Sequence, residues 1–127
     1  MANPKHKILN SKQIQIINAP NTKKYDLEQR TYEFAKTCRE YVRDLAKTLQ
    51  TIEDGKQLIR SSGSVAANYI EANEALSKKD FLLRIKVAKK EAKESILWLR
   101  LLGKNSSLIT EATELMRIFG AILEKTK

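Results

Sequence analysis

The segment from Lys56 to Leu76, Lys-Gln-Leu-Ile-Arg-Ser-Ser-Gly-Ser-Val-Ala-Ala-Asn-Tyr-Ile-Glu-Ala-Asn-Glu-Ala-Leu, limits the folds open to this chain. Ile59, Val65, Ala66, Tyr69 and Ile70 recur at helical spacing, so the segment predicts a helix. Its middle, Ser61-Ser62-Gly63-Ser64-Val65-Ala66-Ala67, is unusually small. Small side chains let another helix approach closely, so this stretch is expected at a helix crossing and not in a loop.

Upstream, a helix is expected to start after Asp26, whose carboxylate can cap free amides, with Glu28 suiting the positive helix end. Phe34, Cys38, Val42 (or Tyr41), Leu45 and Leu49 continue it at steps of three and four, and Glu53-Asp54-Gly55 predicts its break. Downstream, Ser77 followed by Asp80 resembles a capping box opening a long third helix that stops near Gly103. Asn105-Ser106-Ser107 predicts a turn. A fourth helix is expected from Thr110, with Glu111 and Glu114 in its first turns and Leu115, Ile118, Phe119, Ile122 and Leu123 facing inward. The expectation is an all-α fold, an antiparallel up-down-up-down four-helix bundle over residues 25–127. With only 4 Gly and 2 Pro among 127 residues, the chain has few of the turn residues a β-sandwich or barrel needs.

The formal net charge is +9, from 24 Lys and Arg against 15 Asp and Glu. Residues 1–24 hold Lys5, Lys7, Lys12, Lys23 and Lys24 and no acid, which predicts a basic arm outside the core. The remaining 19 basic and 15 acidic residues leave the body at only +4. Within the arm, Gln13-Ile14-Gln15-Ile16-Ile17 is either a tail or a strand able to add to a partner's sheet edge. One Cys and one His exclude internal disulfides, multi-Cys zinc modules and two-His metal sites. No apolar run is long enough to span a bilayer and the start lacks a secretory h-region, so a cytoplasmic protein without a membrane partner is expected.

The third helix carries most of the information. At 100° per residue, Lys79, Lys86, Lys89, Lys90, Lys93, Arg100 and Lys104 fall within an arc of about 100° that contains no acid. An even spread of the nine basic residues between Lys78 and Lys104 would put about 2.5 there. The stripe runs for roughly 37 Å and is either a solvated lysine face or a surface that tracks phosphates. Leu82 and Leu97 share the arc. Phe81, Ile85, Ala88, Ala92, Ile96 and Leu99 form the core stripe, while Leu83, Val87, Trp98 and Leu101 form a further apolar strip. That strip predicts an oligomer interface anchored by Trp98, unless a neighbouring helix or the arm covers it.

Glu71/Glu74, Glu91/Glu94 and Glu111/Glu114 are spaced as in dimetal helical bundles, but the Glu-x-x-His motifs of such sites are missing. No metal and no cofactor is expected. Arg60, Ser64, Asn68 and Glu71 share one stripe, and together with Glu91 and Glu94 they predict a polar seam that fixes register. Ser61, Ser62 and Ser64 have no His to act as a base, Cys38 sits on a core stripe, and no Gly-rich phosphate loop occurs, so no catalytic residue is assigned.

The residues from Tyr25-Asp26-Leu27-Glu28 through Gln57 to Ala72, with Lys90-Glu91-Ala92-Lys93-Glu94-Ser95 and Trp98-Leu99, resemble the four-helix-bundle family encoded by intervening sequences in bacterial 23S ribosomal RNA genes. Many relatives place Gly after the glutamate where this chain has Ala72. The resemblance implies a non-enzymatic ring of five bundles with basic surface around it, in a family often labelled ribosomal. It also implies a relation to a pentameric, nucleic-acid-binding accessory variability protein of retroelements. The combined expectation is a homo-oligomer that binds RNA or DNA through phosphates. The alternative is a scaffold for a protein partner, with the basic stripe meeting acidic protein surface.

Overall fold

The computed structural model describes residues 27–126. Four helices make up this part of the chain: α1 (Leu27–Arg43), α2 (Leu49–Asn73), α3 (Lys78–Leu102) and α4 (Ser106–Lys125). No strand occurs among the described residues, and no helix there is long and apolar enough to cross a membrane. Consecutive helices pack against one another, most extensively α2 against α3, and α4 also meets α1. Phe34 and Cys38 of α1, Leu58 and Val65 of α2, Phe81, Ile85 and Leu99 of α3, and Leu115, Phe119 and Ile122 of α4 fill one shared core. Burial holds the Cys38 thiol pKa up at about 12, so it behaves as a small apolar side chain.

Three helices differ in their boundaries from the sequence reading. First, α1 stops at Arg43 and does not continue through Leu45 to Leu49. The Thr48 side chain accepts from the Thr51 amide at 3.1 Å, and the Thr51 hydroxyl accepts from the Thr48 amide at 2.9 Å. This reciprocal cap starts a new helix where hydrophobic spacing alone suggests continuation. Leu49 is correspondingly 75% exposed. Second, Glu53-Asp54-Gly55 lies inside α2. Gly55 is buried, and a Cβ there would stand 2.8 Å from Val42 Cγ1, so the glycine serves close approach of α1 to α2, not a break. α2 ends at Asn73, which leaves Leu76 in the following turn.

The third difference is α4, which begins at Ser106, not Thr110, and buries Leu108 in its first turn. Asn105 precedes it without a side-chain cap; its Nδ2 instead donates to Leu99 O at 3.0 Å, tying the turn to the end of α3. The predicted limits of α3 match the structure. Ser77 Oγ accepts from the Asp80 amide at 3.0 Å, and Gly103, at φ +84°, closes the other end in a conformation that favours glycine. The expected Asp26 cap and the basic arm lie outside the described residues.

The small-residue segment lies against α3. Ser61, Ser62 and Val65 are fully buried, and the Ser61 and Ser95 hydroxyls meet at 2.8 Å. Ser95 Oγ also donates to Glu91 O at 3.0 Å, so this close contact leaves no hydroxyl unsatisfied.

Candidate nucleic-acid interface

Burial of Phe81, Ile85, Ala88, Ala92, Ser95 and Leu99 turns the opposite side of α3 outward. Lys79, Lys86, Lys90, Lys93, Arg100 and Lys104 are exposed there. Lys89, at one border of the stripe, is half-buried and folds over α4: a Cβ at Gly120 would stand 3.5 Å from its Nζ. Ion pairs at Arg30, Arg43, Lys56, Arg60 and Arg84 lie off this face. At its C-terminal end the stripe borders an open cavity of about 550 Å³ lined by Arg100, Lys104, Asn105 and Ser106 among others. The positive end of the α4 dipole adds to the positive potential there. Lys5, Lys7, Lys12, Lys23 and Lys24 lie outside the described residues.

The polar seam forms around Arg60 of α2, whose Nη2 reaches Glu91 Oε1 at 2.9 Å and Glu94 Oε2 at 2.6 Å on α3. Trp98 Nε1 donates to the same Glu94 oxygen at 3.1 Å. Asn68 Nδ2 donates to Ser64 O and Oγ, and its Oδ1 accepts from Arg84 Nη1 at 3.4 Å. Glu71, the remaining member of the predicted seam, is exposed.

Sequence spacing missed the equivalent clamp on the other side of the bundle. Arg30 of α1 makes a two-pronged contact with Glu111 at 2.7 and 2.9 Å and also reaches Glu114. The Glu111 hydrogen bond is the main cause of a raised Arg30 pKa. Both arginines thus engage a Glu-x-x-Glu pair one helical turn apart, which occupies carboxylates that could otherwise suggest a metal site. Among the described residues no group of three or more His, Cys, Asp or Glu side chains could hold a metal ion.

The four predicted interface residues divide into two kinds. Leu83 and Leu101 are 54% and 59% exposed, at the edge of the basic stripe. Val87 and Trp98 are half-buried, and Trp98 packs against the core as well as holding Glu94. A further apolar row runs along the outer side of α2, where Leu49, Ile52 and Ile70 are exposed. The spacing of Ile70 from Leu49 and Ile52 along α2 is the sequence signal for this outer row.

A family model described as 23S rRNA-intervening sequence protein matches residues 23–122. Among solved structures, a protein with unknown function from the S23 ribosomal protein family of Bacteroides thetaiotaomicron is similar, with 27% identity and a TM-score of 0.67 over 76% of this chain and 97% of that one. No curated protein matches.

The seam generates a pH-dependent prediction. The Trp98 indole, followed by Arg60 and Lys90, holds the Glu94 carboxyl below its ordinary pKa against the opposing effect of burial. A lowered folded-state pKa adds stability that is present above the unfolded pKa and lost as pH falls through the folded one. Trp98→Phe is therefore expected to lower Tm near neutral pH, and its deficit should shrink on acidification as the Glu94 carboxylate becomes protonated in both states. Thermal unfolding of both proteins across that range checks this.

Proposed function

We propose that this chain, which belongs to the 23S rRNA-intervening sequence protein family, is a non-enzymatic oligomeric helical bundle that binds RNA or DNA through phosphates with little sequence selectivity. The exposed, acid-free basic face of α3 carries this reading. Successive cations along a rigid helix can each neutralise a phosphate and release counterions, independently of base identity. The few aromatic residues include buried Phe34, Tyr69, Phe81 and Phe119, which leaves little for base stacking. The lysines of residues 1–24 add to the same electrostatic attraction.

The proposed topology is antiparallel, up-down-up-down. It is supported by short connections and by paired contacts whose residue numbers run in opposite directions: Arg60 with Glu91 and Asn68 with Arg84 across α2 and α3. A homo-oligomer is proposed from the exposed Leu83 and Leu101 and the apolar row of α2; five copies are favoured as the number only because the family resemblance implies it. Large apolar side chains exposed in rows favour contact with another protein surface.

Two measurements check these readings. Replacing Lys86, Lys90 and Lys93 together by Gln should weaken binding to a ribosomal RNA fragment and reduce the slope of log K against log salt by up to about 2.7. The same replacements at Lys47, Lys56 and Lys125 should have a smaller effect; equal losses would assign binding to bulk charge. Light scattering should give a mass several times that of one chain, and Leu83→Glu with Leu101→Glu should lower it. A monomeric mass for the unaltered protein would contradict the assembly.

A further inference from the structure

The turn between α3 and α4 leaves a group of hydrogen-bond donors unspent. Thr48 and Ser77 cap α2 and α3 by accepting from the Thr51 and Asp80 amides. Asn105 stands in the same position before α4 and gives it no such cap, because its Nδ2 donates back to Leu99 O at 3.0 Å. The Leu108 and Ile109 amides bond Asn105 O at 3.0 and 3.1 Å. Those of Ser106 and Ser107 come before them and have no carbonyl partner within α4.

These residues border the cavity of about 550 Å³ at the end of the α3 stripe, whose lining includes Arg100, Lys104, Asn105, Ser106, Ser107 and Ile109. No acid lines it among the described residues. The Arg100 and Lys104 cations and both serine hydroxyls have no polar partner on another described residue. Asn105 is only 9% exposed, and its Oδ1 is buried with no hydrogen-bond partner. Since Leu99 O holds the Nδ2 side, a flip of the amide would only exchange one unsatisfied group for another. The cavity thus joins a cluster of donors and cations to one unused acceptor.

That combination selects a ligand chemistry. A phosphomonoester carries about −1.5 to −2 charges and three terminal oxygens, whereas each phosphodiester along a strand carries a single charge. Single lysines spaced along α3 suit diesters. Two cations, two free amides and two hydroxyls around one cavity, at the positive end of the α4 dipole, suit the monoester. Phosphate alone leaves Asn105 Oδ1 without a donor, but a ribose brings hydroxyls beside its phosphate. The volume lies within the roughly 300–1,000 Å³ of small-molecule sites, enough for a nucleotide. We propose that this cavity binds a ribose-linked phosphomonoester, either the 5′-phosphate end of an RNA strand or a free ribonucleotide. Arg100, Lys104 and the start of α4 take the phosphate, and Asn105 Oδ1 accepts from a sugar hydroxyl. The site rests on its own donors; only its use at a strand end rests on the phosphate-binding face of α3.

The test titrates the full chain with adenosine 5′-monophosphate, with its 2′,3′-dideoxy form, and with two short RNAs of one sequence that end in a 5′-phosphate or a 5′-hydroxyl. The 5′-phosphate is expected to tighten RNA binding about tenfold, and adenosine monophosphate should compete that gain away and bind about tenfold tighter than the dideoxy form. Lys104→Gln with Ser107→Ala should reduce the ratio between the two RNAs to about two, while Lys79→Gln with Lys86→Gln, at the far end of α3, should leave the ratio unchanged. Binding of the mononucleotide without a preference between the RNAs would identify the free ribonucleotide as the ligand, and the reverse would identify the strand end. Equal RNA affinities together with no mononucleotide binding would overturn the proposal even if both RNAs bind along α3. So would a ratio indifferent to Lys104 and Ser107, or equal affinities for the ribose and dideoxy forms. If neither RNA binds, the phosphate-tracking face fails and the mononucleotide titration alone decides the cavity.

Discussion

The close contact between α2 and α3 sets the orientation of the rest of the structure. Ser61 and Ser95 meet at 2.8 Å, a separation that larger side chains at these positions would prevent. Beside them, Arg60 holds Glu91 and Glu94, and Glu91 is only 7% exposed. Burying a carboxylate costs free energy that its partner only partly offsets, so the value of this clamp lies in specificity more than in stability. A rotation of α3 about its axis would separate the serines and leave Glu91 buried without its guanidinium. One orientation satisfies both, and in it the lysines of α3 face solvent.

The same arrangement separates the charges by type. Glu91, Glu94, Glu111 and Glu114 are engaged by Arg60 and Arg30, whose planar guanidinium groups can each serve two carboxylates. The lysines of the α3 stripe remain outside these pairs. A chain whose described body is almost balanced in charge therefore presents one surface with cations and no acids. Its electrostatic character comes from which charges the packing withdraws, more than from their total.

Much of this was legible from local sequence. Ser77, Asp80 and Gly103 delimit α3, and its angular pattern separates core from basic face because one straight helix suffices for the geometry. The α1–α2 turn was not legible: Leu45 and Leu49 keep the apolar spacing, while the Thr48–Thr51 cap that ends it depends on two side-chain hydrogen bonds. Gly55 resembles a break, yet it is a point where Val42 of another helix comes close. Arg30 had no visible partner because its clamp requires knowing that α1 lies beside α4. Spacing assigns Trp98 to the predicted interface strip, but its indole is long enough to reach Glu94 while its body packs against the core. Each of these features depends on a local side-chain cap, a neighbouring helix or side-chain length, none of which periodicity encodes.

The most direct measurement is the acylation rate of each lysine with and without a ribosomal RNA fragment at low salt, read by mass spectrometry. If phosphates lie along the exposed face of α3, Lys86, Lys90 and Lys93 should be protected together while Lys47 and Lys56 keep their rates. Uniform protection, or protection that spares α3, would contradict the phosphate-tracking face.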